Sequence, residues 1–120
     1  SMIEQDLRTA LLAHAPLTAI VGQNIAALVV PEAASSPYVT YQVVSGQRES
    51  TMSSPGARIN KRVQLSCFAA TYAQVKAISQ AVQDAVESSL LFAYVFLGDQ
   101  DLYDPETKQR YVVIDYSLWQ

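Results

Sequence analysis

The sequence predicts an α+β fold, a mostly antiparallel sheet of four to five strands with two main helices packed on one face. Three observations carry that prediction. Two segments, 2–14 and 72–88, repeat apolar residues at helical spacing. Three others, 38–45, 61–69 and 110–119, alternate with period two. The resulting order is helix, short strand, hairpin, helix, hairpin, with no internal repeat and no linker-like stretch, so a single domain over 1–120 is expected.

In the first helix Ile3, Leu7, Ala10, Leu11 and His14 recur on one side, with Glu4, Gln5, Arg8 and Thr9 around the rest of the wheel. Pro16 stops it, because proline has no N–H to donate and its ring clashes with the preceding turn. Leu17, Ile20 and Val21 form a second short helical turn that ends at Gly22. Residues 25–30 are a short apolar strand, and 31–37 a loop bounded by prolines. In the next strand Val39, Tyr41 and Val43 share one face, while Tyr38, Thr40, Gln42 and Val44 share the other.

The polar, serine-rich stretch 46–56 is long for a hairpin loop, and such loops are usually functional. Strand 61–69 then turns Val63, Leu65 and Cys67 one way and Arg62, Gln64, Ser66 and Phe68 the other. Thr71 followed by Gln74 has the form of a capping box, in which the threonine hydroxyl and the glutamine side chain satisfy N–H groups at a helix start. Behind it Val75, Ile78, Val82, Ala85 and Val86 make an apolar stripe to about Ser88. Residues 91–97 are apolar on both faces, and 104–107 have turn chemistry with Pro105 at the second position. The last strand places Val112, Ile114, Tyr116 and Leu118 on one face and Tyr111, Val113, Asp115, Ser117 and Trp119 on the other.

Composition narrows the function. Half of the 120 residues are hydrophobic and 16% are charged, against a usual charged share of ~25%. Small domains have much surface per volume, so this shortfall implies surface that does not meet water. The net charge of −3 argues against a nucleic-acid binder, which needs a basic patch to neutralise phosphates. One cysteine allows no intrachain disulfide. The N-terminal stretch is acidic where a signal peptide would be basic, and the apolar run 90–97 is too short to span a bilayer. A soluble protein made in a reducing cytoplasm is expected, with Ser1 an expression scar.

Two helices cover one face of such a sheet, and the other face normally turns polar. Here that face still carries Val44, Phe68, Tyr111, Val113 and Trp119, and strand 91–97 adds an apolar set whichever way it faces. Exposed apolar patches mark association sites. Val44, Phe68, Val113 and Trp119 are therefore the predicted subunit or partner interface, and Gln47, Arg48, Glu49 and Met52 in the long loop the predicted docking elements.

No catalytic or metal constellation emerges. Cys67 lies on an apolar strand face, where a thiol packs as a small hydrophobe. The one histidine, His14, sits at the end of the first helix. Asp99, Asp101 and Asp104 alternate as calcium ligands do, but lack the glycine and terminal glutamate of an EF-hand loop. They read as a solvated hairpin end. Four scattered glycines exclude a phosphate-binding loop. No enzyme activity, cofactor or metal is expected.

Several pieces taken in order resemble the tail-completion (tail-to-head joining, tail-terminator) proteins of long-tailed phages. They are the opening helix, 17–22, Pro37-Tyr38-Val39-Thr40-Tyr41-Gln42 with Ser45-Gly46, 63–72, 104–107 and 111–119. The resemblance covers nearly the whole chain. It implies a self-associating, hexameric ring that ends the tail tube and docks it to the head connector, with DNA passing through without specific binding. Tail tube protein and head connector protein are the implied partners, with no membrane. The implied location is the host cytoplasm during assembly, then the virion tail or neck. Two rivals stand beside it: a small monomeric adaptor or tail-assembly factor, and a carboxylate- or metal-dependent enzyme using residues 99–104.

Overall fold

The structure, a computed structural model, describes residues 3–27, 37–48 and 59–120, with backbone alone at 45–48. Three helices, α1 (Ile3–Ala13), α2 (Ala15–Val21) and α3 (Tyr72–Ser88), pack with five strands. The strands are β1 (Ile25–Ala27), β2 (Tyr38–Arg48), β3 (Ile59–Ala69), β4 (Ala93–Asp104) and β5 (Gln109–Trp119). They form one sheet in the order β1-β2-β3-β5-β4. Among the described residues only the β1–β2 pairing is parallel. The predicted α+β class and mostly antiparallel sheet are thus observed.

The core lies between the sheet and the helices. Ile3, Leu7 and Leu11 of α1, Leu17 and Val21 of α2, and Val75, Ile78, Val82 and Val86 of α3 are buried against it. From the sheet come Val39, Tyr41, Val63, Leu65, Cys67, Val112, Ile114, Tyr116 and Leu118, the apolar sets that period-two alternation picks out. The Thr71 hydroxyl accepts the Gln74 N–H at 3.2 Å, satisfying one orphan donor at the start of α3. Gly22 ends α2 at φ 61°, a left-handed backbone that glycine adopts without steric cost. No helix among the described residues is long and apolar enough to cross a membrane.

Several boundaries differ from the sequence expectation, among them the start of β4, at Ala93 rather than residue 91. β2 runs to Arg48 and β3 begins at Ile59, because Gly46, Gln47 and Arg48 find antiparallel partners in Lys61, Asn60 and Ile59. Local polarity had marked the first of these as loop. β4 runs on through Asp104, so Asp99 and Asp101 are strand residues paired with Ile114 and Val112 rather than part of a hairpin end. The turn itself is held by Asp104, whose carboxylate accepts the Glu106 N–H and the Thr107 hydroxyl, both at 3.0 Å. These bonds, the backbone one first, hold its acidity above that of an ordinary aspartate.

Candidate interaction surface

The sheet face away from the helices is organised in rungs. At the lower end Tyr38, Phe68, Tyr111 and Leu102 lie side by side across the strands. Phe68 stacks between two tyrosines, with ring centroids 4.6 Å from Tyr38 and 5.0 Å from Tyr111. In the middle a polar belt crosses the sheet. Gln42 donates to Gln64 at 3.0 Å, Gln64 donates to Asp115 at 3.3 Å, and Arg62 pairs with Asp115 at 3.2 Å. At the upper end Trp119 lies between Asn60 and Ala93.

The four predicted interface residues are therefore all on or beside this face, in three separate places. Phe68 belongs to the aromatic rung, Val113 to the next, and Trp119 to the far end, each half-buried. Val44 is exposed at a bulge in β2, between Val43 and Ser45. Of the predicted docking residues, Gln47 and Arg48 are strand residues by backbone; Glu49 and Met52 lie outside the described residues. The sequence predicts an exposed apolar patch on this face. The polar belt divides it, and stacking hides much of what remains, since a ring flanked by two rings presents little more than its edge.

The exposed apolar side chains gather instead on β4. Tyr94, Val95, Phe96 and Leu97 are 41%, 51%, 42% and 48% exposed, and Leu90 and Leu91 just before them 100% and 45%. Tyr94 and Phe96 meet the buried Tyr116 ring edge-on at 6.0 and 5.5 Å. Tyr116 donates its hydroxyl to Glu87 at 2.7 Å, and burial raises its pKa well above that of a free tyrosine. β4 occupies this position because it is the outermost strand, with β5 on one side and no strand on the other among the described residues. Sequence reasoning marked the segment as apolar on both faces; the strand order that puts it at an edge was not readable.

On the helix side a shallow cleft of about 210 Å³ opens beside Tyr72, Val75, Asp101, Tyr103 and Arg110. Asp101 accepts from Tyr72 at 3.2 Å and from Lys76 at 3.1 Å, and the Lys76 bond raises that amine's pKa. The Asp101 carboxylate is thus committed to neighbours. Among the described residues no three His, Cys, Asp or Glu side chains are grouped to hold a metal. Cys67 is fully buried, and burial pushes its thiol pKa from 9.0 up to about 12, so almost no thiolate exists at neutral pH.

The model of the family described as tail completion protein gp17 matches residues 5–120. The chain belongs to this family. The resemblance noted from the sequence is therefore borne out, and the tail completion protein takes part in completing a phage tail.

Two solved structures share its fold. A chain from the virion of a native gene transfer agent particle aligns with a TM-score of 0.77 and 22% identity, over 98% of this chain and 92% of that one. The bacteriophage SPP1 gp17 protein aligns with a TM-score of 0.62 and 20% identity, over 96% of this chain and 86% of that one. At such identities the likeness is one of fold. No match was found among curated proteins.

Proposed function

We propose that this tail completion protein is a non-enzymatic assembly component that self-associates into a hexameric ring. The ring terminates the tail tube and joins it to the head connector, and the protein moves from the host cytoplasm into the tail or neck of the virion. The observation that carries the reading is the exposed apolar stretch of β4, which a protein that worked alone would bury or charge. Supporting it are the family, the fold shared with a chain of a virion particle, and a thiol and carboxylates already committed to packing and hydrogen bonds.

The net charge of −3 per copy suits a conduit: like charge repels DNA phosphates, and DNA passes without specific binding. Val44, Phe68, Val113 and Trp119 are retained as candidate contacts, with Gln47, Arg48, Glu49 and Met52 as candidate docking residues; the chain acts as a single domain.

The test is electron microscopy of the purified protein mixed with isolated tail tubes. Rings capping the tubes are expected. A protein that remains monomeric with tubes present and leaves their ends bare would favour the monomeric adaptor and overturn the reading.

A further inference from the structure

The sheet has two open edges among the described residues, and both open at the same end. On one side β4 is outermost along its whole length. On the other, β1 covers β2 only at Val39, Thr40 and Tyr41, so from Gln42 to Arg48 β2 has no strand on its outer side among the described residues. The register relates the two. Val43, Val63, Tyr116 and Phe96 form one rung across the sheet. Above it, Ser45 is level through Arg62 and Ser117 with Val95, and Gln47 is level through Asn60 and Trp119 with Ala93. The uncovered part of β2 thus stands level with the apolar part of β4.

Their directions also match. Three successive antiparallel pairings separate β2 from β4, so the two strands run in opposite senses. Rotation about an axis along the strands preserves both level and sense. A copy so rotated brings its β2 beside the β4 of the first in antiparallel orientation, with no rise between copies. That is the condition a head-to-tail contact must meet to close into a ring rather than climb into a filament.

We propose that Tyr94, Val95, Phe96 and Leu97 of one copy pair antiparallel with the 42–48 stretch of β2 in a second copy, joining neighbouring sheets edge to edge. This rests on the self-associating reading above and names the surface that performs it. The occupant is a second copy because the same chain supplies both edges at one level, and because the exposed apolar area is of the right size. Leu90, Leu91 and the four β4 residues expose on the order of 600 Å² at ~150–250 Å² per fully exposed large side chain, close to the ~800 Å² that each partner brings to a stable interface. Each edge strand carries one bulge beside the shared rung, at Val44 in β2 and at Leu97 in β4. A bulge interrupts a ladder, so the regular pairing lies above that rung, between 93–95 and 45–47.

The test is cross-linking with a short bismaleimide, done on the protein alone and with isolated tail tubes. The variants are Val44→Cys, Val95→Cys and the two together; buried Cys67 does not compete. The double variant is expected to give a ladder of covalent oligomers that survives denaturant, and each single variant only monomer. Val95→Lys, at an exposed position, is expected to keep the parent melting temperature within about 2 °C while weakening association at least ~tenfold, as lysine does on edge strands.

A covalent dimer from Val95→Cys alone would mean that β4 pairs with itself, and overturns the proposal. Rings on tail tubes with no ladder from the double variant overturn the edge pairing and leave the ring reading intact. Bare tubes and monomer in every arm overturn both.

Discussion

Cys67 offers a direct test of whether this molecule holds its only thiol as packing or as chemistry. Its side chain is fully buried beside Leu65 and Val63 on the core face of β3, and its pKa lies near 12 where an ordinary thiol would have 9.0. The perturbation is Cys67→Ala combined with a rise in pH. The unfolded chain ionises its thiol above pH 9 while the folded chain does not, so the unfolded state gains from alkali and the folded state does not. The folded pKa is the raised one. The stability it represents is therefore fully present below pH 9 and is lost as the pH climbs towards 12. Each unit in that window costs about 1.4 kcal/mol, and the full window about 4 kcal/mol.

Between pH 8 and pH 10 the parent should lose on the order of 1 kcal/mol through this group alone. Tyr38, Tyr41 and Tyr116, all raised by burial from an ordinary value of 10.0, begin to contribute as the pH nears 10, but equally in parent and variant, so the difference between the two isolates Cys67. Urea unfolding at intervals from pH 7 to 10 reads the difference. Cys67→Ala should start about 1–2 kcal/mol less stable at pH 7, for the lost contacts, and then decline more gently, so that the two curves converge by pH 10. Ellman's reagent should leave the native parent unmodified at pH 7.5 until denaturant is added. Parallel curves from pH 8 to 10, or labelling of the native thiol within seconds, would refute the account of Cys67 as a buried and inert hydrophobe.

Other outcomes follow from the same structure. Thr71→Ala removes the acceptor of the Gln74 N–H and should cost about 1 kcal/mol in urea unfolding; no measurable change would mean that the cap holds nothing. Trp119→Ala should weaken oligomers more than it lowers the monomer melting temperature, compared by sedimentation and calorimetry; unfolding of the monomer with association unchanged would make Trp119 a core residue only. Millimolar calcium or magnesium should leave the melting temperature within about 1 °C. A rise of several degrees would show a cation bound to the folded state and revive the carboxylates at Asp99 and Asp101 as a site.

Most of the core was readable because local signals and burial coincide in it. In α3 the Thr71–Gln74 cap marks the start, and the helical spacing of Val75, Ile78, Val82 and Val86 marks the face that is buried. In β3 and β5 strict alternation identifies the core-facing residues from Val63 to Cys67 and from Val112 to Leu118. The parts that misled are those where a neighbour overrules composition. Asp99 and Asp101 read as part of a solvated hairpin end, yet β5 supplies them a ladder, and Lys76 and Tyr72 reach across from α3 to Asp101. Strand preference is largely a preference for a suitable neighbour, and no local window contains the neighbour. Two bulges left faint traces, adjacent apolar residues at Val43 and Val44 and a glycine after Leu97, each a break in alternation.

The candidate surface shows why such an interface is harder to read than a core. Counting apolar residues by face assigns equal weight to Phe68 and Phe96. In the fold Phe68 has a tyrosine ring on either side at 4.6 and 5.0 Å, whereas Phe96 meets one ring edge-on and is 42% exposed. The difference is not in the residues or in their alternation. It comes from strand order: a residue on a central strand has cross-strand neighbours on both sides, and one on an edge strand has them on one side only. The chain places β5 between β3 and β4, so its most apolar two-faced strand ends up with a strand on one side only among the described residues. A sheet built for solitude would put charge or a short strand there. Here, among the described residues, a long strand with four successive exposed apolar residues stands at the edge, a form of edge to which a further strand can add.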